Sequence, residues 1–149
     1  LVARQTSIIH FNVSHSGERA LYAISSCYPL GVDIEYLRRD FDDKALSERF
    51  FSPAECAALH CLPEYERKRA FLVYWTRKEA IVKASGDGLS LPLDQLDIAT
   101  TLDLSSRLPG SAVALGHNPA WRLYAPEVGD DYVATIAICA TPNVEHRDY

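Results

Sequence analysis

Three acidic side chains and two lysines carry most of the chemistry open to this chain. Gly31-Val32-Asp33-Ile34-Glu35 has the alternation of a strand, so Asp33 and Glu35 share one face and Val32 and Ile34 the other. Such i and i+2 carboxylates sit roughly 6.5–7 Å apart along the backbone, close enough to converge on one cation. An isolated Asp-x-Glu also describes many ordinary exposed strand faces. Downstream, Trp75-Thr76-Arg77-Lys78-Glu79-Ala80-Ile81-Val82-Lys83 reads as helix and sets Glu79 one turn before Lys83. That is the favourable order for an ion pair worth a few tenths of a kcal/mol on a surface. Large apolar neighbours require this helix to pack on something, and the strand carrying Asp33 is the obvious candidate. Were Glu79 to approach Asp33 and Glu35, each pair of carboxylates about 4 Å apart would repel by roughly 4 kcal/mol at an effective dielectric near 20. Three such groups stay ionised only with a cation among them. Oxygen-only ligands select a hard metal, and Mg²⁺ completes its octahedron with water and substrate phosphate. Lys83 and Lys78, a turn or less away, are placed to neutralise phosphate oxygens, and the expected chemistry is phosphoryl transfer.

Ser14-His15-Ser16-Gly17 is the remaining polar cluster. Read as a turn, it lets a histidine donate to an anion together with backbone groups, and it equally fits a purely structural turn. No Gly-x-Ser-x-Gly elbow surrounds the serines, which argues against a nucleophile.

The elements that must position these residues follow from local pattern. Residues 8–13 and 20–26 read as strands separated by turn chemistry around Gly17, and Leu30 to Tyr36 as a third. A polar connection with Arg38, Arg39, Asp40, Asp42 and Asp43 precedes Ser52-Pro53-Ala54-Glu55, a capping box with proline at the first helical position. That short helix ends near Pro63. A longer one is expected from about Glu64 to Ala84, amphipathic through Phe71, Trp75 and Val82 and stopped by Gly86 and Gly88. A Leu/Pro/Asp segment from Leu89 to Thr101 and a turn-rich stretch around Pro109-Gly110 follow. Two last strands, Ala120 to Ala125 and Tyr132 to Cys139, join at Gly129-Asp130. Strands, a helical block, then strands predict an α+β fold with an antiparallel sheet.

Composition narrows the class. The 149 residues are 48% hydrophobic and 23% charged, the balance of a globular domain with a real core. No apolar stretch is long enough for a bilayer, and no charged-then-apolar leader opens the sequence, so a cytoplasmic protein is expected. Cys27, Cys56, Cys61 and Cys139 form no CxxC pair and are expected to be reduced thiols. The net charge of −5 argues against a nucleic-acid partner. Arg67, Lys68, Arg69, Arg77, Lys78 and Lys83 nevertheless crowd one segment, suiting a small anion, an acidic protein or simply a solvated face. The chain starts at Leu1 and has no methionine, which suggests a trimmed or fragmentary product.

Three segments together, Phe11-Asn12-Val13-Ser14-His15-Ser16-Gly17, Gly31-Val32-Asp33-Ile34-Glu35 and Trp75 through Leu89, resemble the 4′-phosphopantetheinyl transferases, most closely the larger surfactin-synthetase-activating class. The resemblance implies an enzyme that moves the phosphopantetheine arm of coenzyme A onto a serine of an apo acyl or peptidyl carrier protein, releasing adenosine 3′,5′-bisphosphate. It implies that Asp33, Glu35 and Glu79 hold Mg²⁺ and that Lys83 contacts the transferred phosphate or assists the leaving group. It assigns Lys78 to the coenzyme A phosphate and pantetheine region, and His15 with Ser14 to the nucleotide's phosphates. Glu79, or a metal-bound water, is the implied general base. The implied fold is a pseudo-symmetric pair of halves whose first half is incomplete here, with residues 1–28 its remnant and 29–149 the transferase half with the metal site. A segment lost by trimming, a second polypeptide or an oligomer would then complete the coenzyme A pocket. Docking of the acidic carrier is expected near Arg67 and Arg77, or at Arg38, Arg39 and Phe41. A fragment that binds without turning over, and a Mg²⁺ nuclease or phosphatase using the same carboxylates, are the competing expectations.

Overall fold

A computed structural model describes residues 8–38, 40–86, 92–98, 111–113 and 121–139. Among these residues six strands and three helices follow in the order β1 (His10–Ser16), β2 (Arg19–Ser25), β3 (Leu30–Tyr36), α1 (Asp43–Phe50), α2 (Pro53–His60), α3 (Glu64–Ser85), β4 (Ser111–Val113), β5 (Trp121–Tyr124) and β6 (Tyr132–Cys139). A 3-10 turn at Leu93–Gln95 lies between α3 and β4. The architecture is α+β with antiparallel pairing, as the order of elements predicted.

β1 and β2 form a hairpin of their own, and the larger sheet has the order β3-β6-β5-β4. β3 is therefore an edge strand, with β6 on one side in a register that pairs Asp33 with Thr135 and Glu35 with Val133. The hairpin turn is tighter than expected. Ser14, His15 and Ser16 are strand residues, and the turn is confined to Gly17 and Glu18, with Gly17 at φ +56°.

α3 is the spine. It starts after Pro63 and ends at Gly86, whose left-handed φ of +75° closes the helix, while Gly88 lies outside the described residues. One side lies across β3 and β6; around the rest stand α1, α2 and the segment that ends at Ile98. The expected amphipathic stripe is thus absent: Phe71, Leu72, Tyr74, Thr76, Arg77, Lys78, Ile81 and Val82 are all buried, because other elements cover the helix on nearly every side. Phe71 stacks on Phe51 and Trp75, building the aromatic part of the core. Gly31 is what lets the helix come so close to β3. A Cβ at that position would stand 2.0 Å from the carbonyl oxygen of Ala80 and 2.6 Å from the amide nitrogen of Ala84.

The capping box of α2 is present as read, with Ser52 and Glu55 satisfying each other's backbone N–H groups. α1 was missed. Its N-cap is Asp42, which accepts from the Ala45 amide, and the helix replaces part of the expected polar connection. β4 likewise falls where only turn chemistry was legible. Among the described residues no helix is long and apolar enough to cross a membrane, and the cysteines are free thiols.

Candidate active site between β3 and α3

β3 turns two different faces to its neighbours. Val32 and Ile34 pack against Leu21 and Ala23 of the hairpin and against β6 residues, which fixes the strand's rotation. Asp33 and Glu35 consequently face α3 (period two along a strand leaves no other choice) and meet Glu79 and Lys83 there.

Lys83 reaches back along α3 to the strand. Its ammonium lies 2.7 Å from Asp33 Oδ1, 3.1 Å from the Val32 carbonyl oxygen and 3.3 Å from Ser14 Oγ. Asp33 is buried, whereas the Lys83 side chain remains 29% exposed, so one partner of the pair meets solvent. The other oxygen of Asp33, Oδ2, is buried and has no hydrogen-bond partner among the described residues. A buried carboxylate oxygen left without a donor costs on the order of 1–3 kcal/mol, more when charged. Burial accordingly pushes the Asp33 carboxyl above its ordinary value despite the opposing pull of Lys83. Burial does the same to Glu79, and Asp33 and Glu35 push it further in that direction. The three carboxylates therefore share one electrostatic environment. Among the described residues no three of His, Cys, Asp and Glu converge tightly enough to grip an ion as they stand. The orphaned Asp33 oxygen and the shared excess of negative charge fit a hard divalent cation, and a donor set of oxygens alone fits Mg²⁺.

The residues of β1 separate by strand parity. Ser14 Oγ donates to Asp33 Oδ1 at 2.9 Å and accepts from the Ile34 amide at 3.3 Å. With Lys83 also donating to it, its lone pairs and its one proton are engaged. His15 points to the opposite, outer face, exposed beside Phe11 and Val13. The structure thus does not bring His15 and Ser14 to one spot, because the extended backbone sends alternate side chains apart.

Lys78 is not at the site. Its ammonium lies 2.7 Å from Glu55 Oε2, and neither side chain has any exposure. It also donates to the carbonyls of Leu93 and Leu96. Glu79 and Lys83 share a helix face; Lys78, one residue before Glu79, lies about 100° round the axis. Its i−4 and i+3 neighbours, Tyr74 and Ile81, are fully buried, and that was the sequence signal that Lys78 faces the interior. The coenzyme A contact assigned to Lys78 is corrected accordingly: the lysine is a buried tie between α2, α3 and the Leu93–Ile98 segment.

The basic segment also disperses. Arg77 is buried, Arg67 donates to the Leu62 carbonyl, Arg69 to the Asp130 carbonyl, and Lys68 lies over the Phe41 ring. Arg69 and Arg77 line a cleft with residues 125–130. Arg38 pairs with Asp131 at the surface, and Arg39 lies outside the described residues.

Two residues to which the sequence assigned no role of their own, Ser16 and Asn12, hold the edge of β3. Ser16 Oγ donates to Glu35 Oε2 at 3.0 Å and accepts from the Tyr36 amide at 3.0 Å, and Asn12 Oδ1 accepts from the Val32 amide at 3.0 Å.

Comparison with known proteins identifies the family. Residues 29–137 match the family model described as the 4′-phosphopantetheinyl transferase superfamily. The chain is 39% identical to the 4′-phosphopantetheinyl transferase HetI of Nostoc sp. over 128 residues, covering 86% of this chain and 51% of that protein. It is 35% identical to the 4′-phosphopantetheinyl transferase Sfp of Bacillus subtilis over 142 residues, 94% of this chain and 57% of that protein. With AcpT of Salmonella typhimurium it shares 38% over 76 residues, 51% of this chain and 40% of that one. The chain spans about half the length of the curated relatives it matches most fully.

Proposed function

Because this chain belongs to the 4′-phosphopantetheinyl transferase superfamily, we propose that its β3–α3 site transfers the 4′-phosphopantetheine arm of coenzyme A to a serine of an apo acyl or peptidyl carrier protein. The observation that carries this reading is the buried oxygen of Asp33, without a partner among the described residues, in a site shared with Glu35, Glu79 and a partly exposed lysine. In the reaction the carrier serine oxygen bonds to the phosphorus attached to pantetheine. The bond from that phosphorus to the bridging pyrophosphate oxygen breaks, and adenosine 3′,5′-bisphosphate leaves. Asp33, Glu35 and Glu79 would hold Mg²⁺, which when bound neutralises charge on the pyrophosphate.

The remaining steps fall to this chain's own side chains. Lys83 moves its ammonium from Asp33 toward the phosphate oxygens, which its exposure and its four-carbon stem allow. Glu79 takes the serine proton directly or through water. His15, exposed on the outer face of β1, meets the nucleotide phosphates from that side. Ser14 acts on Asp33 and not on the nucleotide, since its proton is already engaged. Residues 1–28 are read as the remnant of a first half, and a further segment or a second subunit as the completion of the coenzyme A pocket. A cytoplasmic setting follows from these substrates.

The test is direct. The chain is mixed with coenzyme A, Mg²⁺ and an apo carrier protein, and the carrier is weighed. A gain of one phosphopantetheine arm is expected, abolished in Asp33→Ala and in Glu79→Gln with far-ultraviolet circular dichroism unchanged. No gain with the unaltered chain overturns self-sufficient catalysis. Retained coenzyme A binding would then favour the binding-only reading. Full activity in either variant overturns the metal assignment.

A further inference from the structure

The free edge of β3 is covered without a backbone ladder. Its outward amides, on Val32, Ile34 and Tyr36, donate to Asn12 Oδ1, Ser14 Oγ and Ser16 Oγ at 3.0, 3.3 and 3.0 Å. The offset is 20 residues at every rung, so β1 runs parallel to β3 and substitutes side chains for the carbonyls of a neighbouring strand. Alternate polar residues of β1 are the requirement, and Asn12, Ser14 and Ser16 supply them while Leu21 and Ala23 of β2 pack on the apolar face of β3.

The rungs are not equivalent. A backbone amide can only donate, so each serine oxygen must accept from it, and the single hydroxyl proton is thereby freed to point elsewhere. In Ser14 it goes to Asp33 Oδ1, and in Ser16 to Glu35 Oε2. Among the described residues the Asn12 rung ends on the amide and meets no carboxylate. We infer that Ser16 is a positioning residue for Glu35, and Ser14 for Asp33, so that the hairpin sets the orientation of two of the three carboxylates while docking on β3. The metal consequence rests on the reading of Asp33 and Glu35 as ligands; the orientation itself does not. Ser16 is the cleaner probe, because Ser14 also contacts Lys83.

The experiment compares Ser16→Ala, Ser16→Thr and Asn12→Ala with the parent chain by three measurements. Mn²⁺ affinity is read from the electron paramagnetic resonance of the free ion. The side-chain rotamer of Glu35 in the metal-free protein is read from carbon–proton couplings. Amide hydrogen exchange is followed at Val32, Ile34 and Tyr36. Ser16→Ala is expected to weaken Mn²⁺ binding roughly tenfold, the scale for losing a partner that orients a ligand. It should also average the Glu35 rotamer and speed exchange at Tyr36. Ser16→Thr, which keeps the hydroxyl, restores all three to within about twofold. Asn12→Ala speeds exchange at Val32 and leaves the Glu35 rotamer and Mn²⁺ affinity near those of the parent chain, which separates orientation of the ligand from simple loosening of the hairpin.

An unchanged Glu35 rotamer and Mn²⁺ affinity in Ser16→Ala overturn the inference, as does an equal loss of affinity in Asn12→Ala. If the parent chain binds no Mn²⁺, the metal reading fails separately. The Glu35 rotamer then decides alone: averaging in Ser16→Ala supports positioning, and a fixed rotamer refutes it.

Discussion

Two lysines five residues apart on α3 make ion pairs of the same length, 2.7 Å, with opposite character. At Lys78 the network is closed. The ammonium meets Glu55 and two carbonyls, and Glu55 in turn accepts from the amides of Ser52 and Ile98. Burial, with a contribution from Glu55, pushes the adjacent Tyr74 hydroxyl up to about 12. At Lys83 the network is open: its partner Asp33 keeps one buried oxygen without a donor, and the lysine is partly solvated. A closed pair can do nothing except hold elements together. An open one has an unmet demand, and an unmet demand inside a protein is where a ligand gains its binding energy.

The largest test of this contrast is at the closed end. Lys78→Met keeps the volume but leaves Glu55 charged in the interior, and losing one partner of a buried pair costs about 3–5 kcal/mol. For a chain of this size that lowers the melting temperature by about 6–20 °C. Adding Glu55→Gln to Lys78→Met should recover part of the loss, since the uncompensated charge is then gone. Chemical denaturation of the single and double variants measures both. A drop under 1 kcal/mol for Lys78→Met would remove the distinction between the two ends.

Next in size is Gly31→Ala, which touches both ends of the comparison through α3. The added methyl would run into the Ala80 carbonyl, so strand and helix must separate by an ångström or more. Overpacking of this kind costs about 1–3 kcal/mol. Transfer activity should fall further than stability implies, because Glu79 and Lys83 move away from Asp33 and Glu35 together. Activity that merely tracks the folded fraction would show that the spacing between β3 and α3 is not critical.

How far the sequence disclosed this arrangement depends on which residues are asked. β3 and β6 were legible to the residue because they are rich in β-branched side chains and bounded by turn residues, and α2 because Ser52 and Glu55 spell a capping box. α1 was not, since Asp43–Phe50 is short and mostly polar and only its cap at Asp42 marks it. The pairing of Asp33 and Glu35 on one face follows from strand period, and their approach to α3 from the apolar residues around Glu79. Lys78 was placed by chemical type and nearness to Glu79, when helical period already sets it a quarter-turn or more away from that face. The serine ladder is harder still. It depends on β1 lying parallel to the β3 edge at a fixed offset, a tertiary fact that no local pattern encodes.

At the open end, substitution should leave the fold standing. Asp33→Asn removes a charge that the site satisfies poorly, and Lys83 is exposed enough to turn to water. Stability should change by no more than about 1 kcal/mol, while divalent-ion binding and transfer are lost. Thermal melts, ion titration and the carrier-mass assay separate the two effects. A loss as large as that of Lys78→Met would mean the Asp33 pair is also scaffold.

The finest discrimination comes from pH, because the two ends titrate with opposite sign. Burial, the leading cause at both carboxyls, raises Asp33 and Glu79 above their ordinary values of 3.8 and 4.5. The folded chain then holds these protons more tightly than the unfolded chain, so stability falls as pH climbs from those ordinary values through the raised ones. Lys78 is pushed below its ordinary 10.5, again by burial first. There the folded chain holds its proton less tightly, and stability rises with pH through a window ending near 10.5. Melting curves of the metal-free protein from about pH 4 to about pH 8 should therefore decline by a few degrees on account of the carboxylates. Mg²⁺ should offset that decline, with a thermal shift that grows as pH rises, because it binds the ionised form. Asp33→Asn should flatten both the decline and the shift. A Mg²⁺ shift that ignores pH, or persists undiminished in Asp33→Asn, would place the ion somewhere other than the open end of α3.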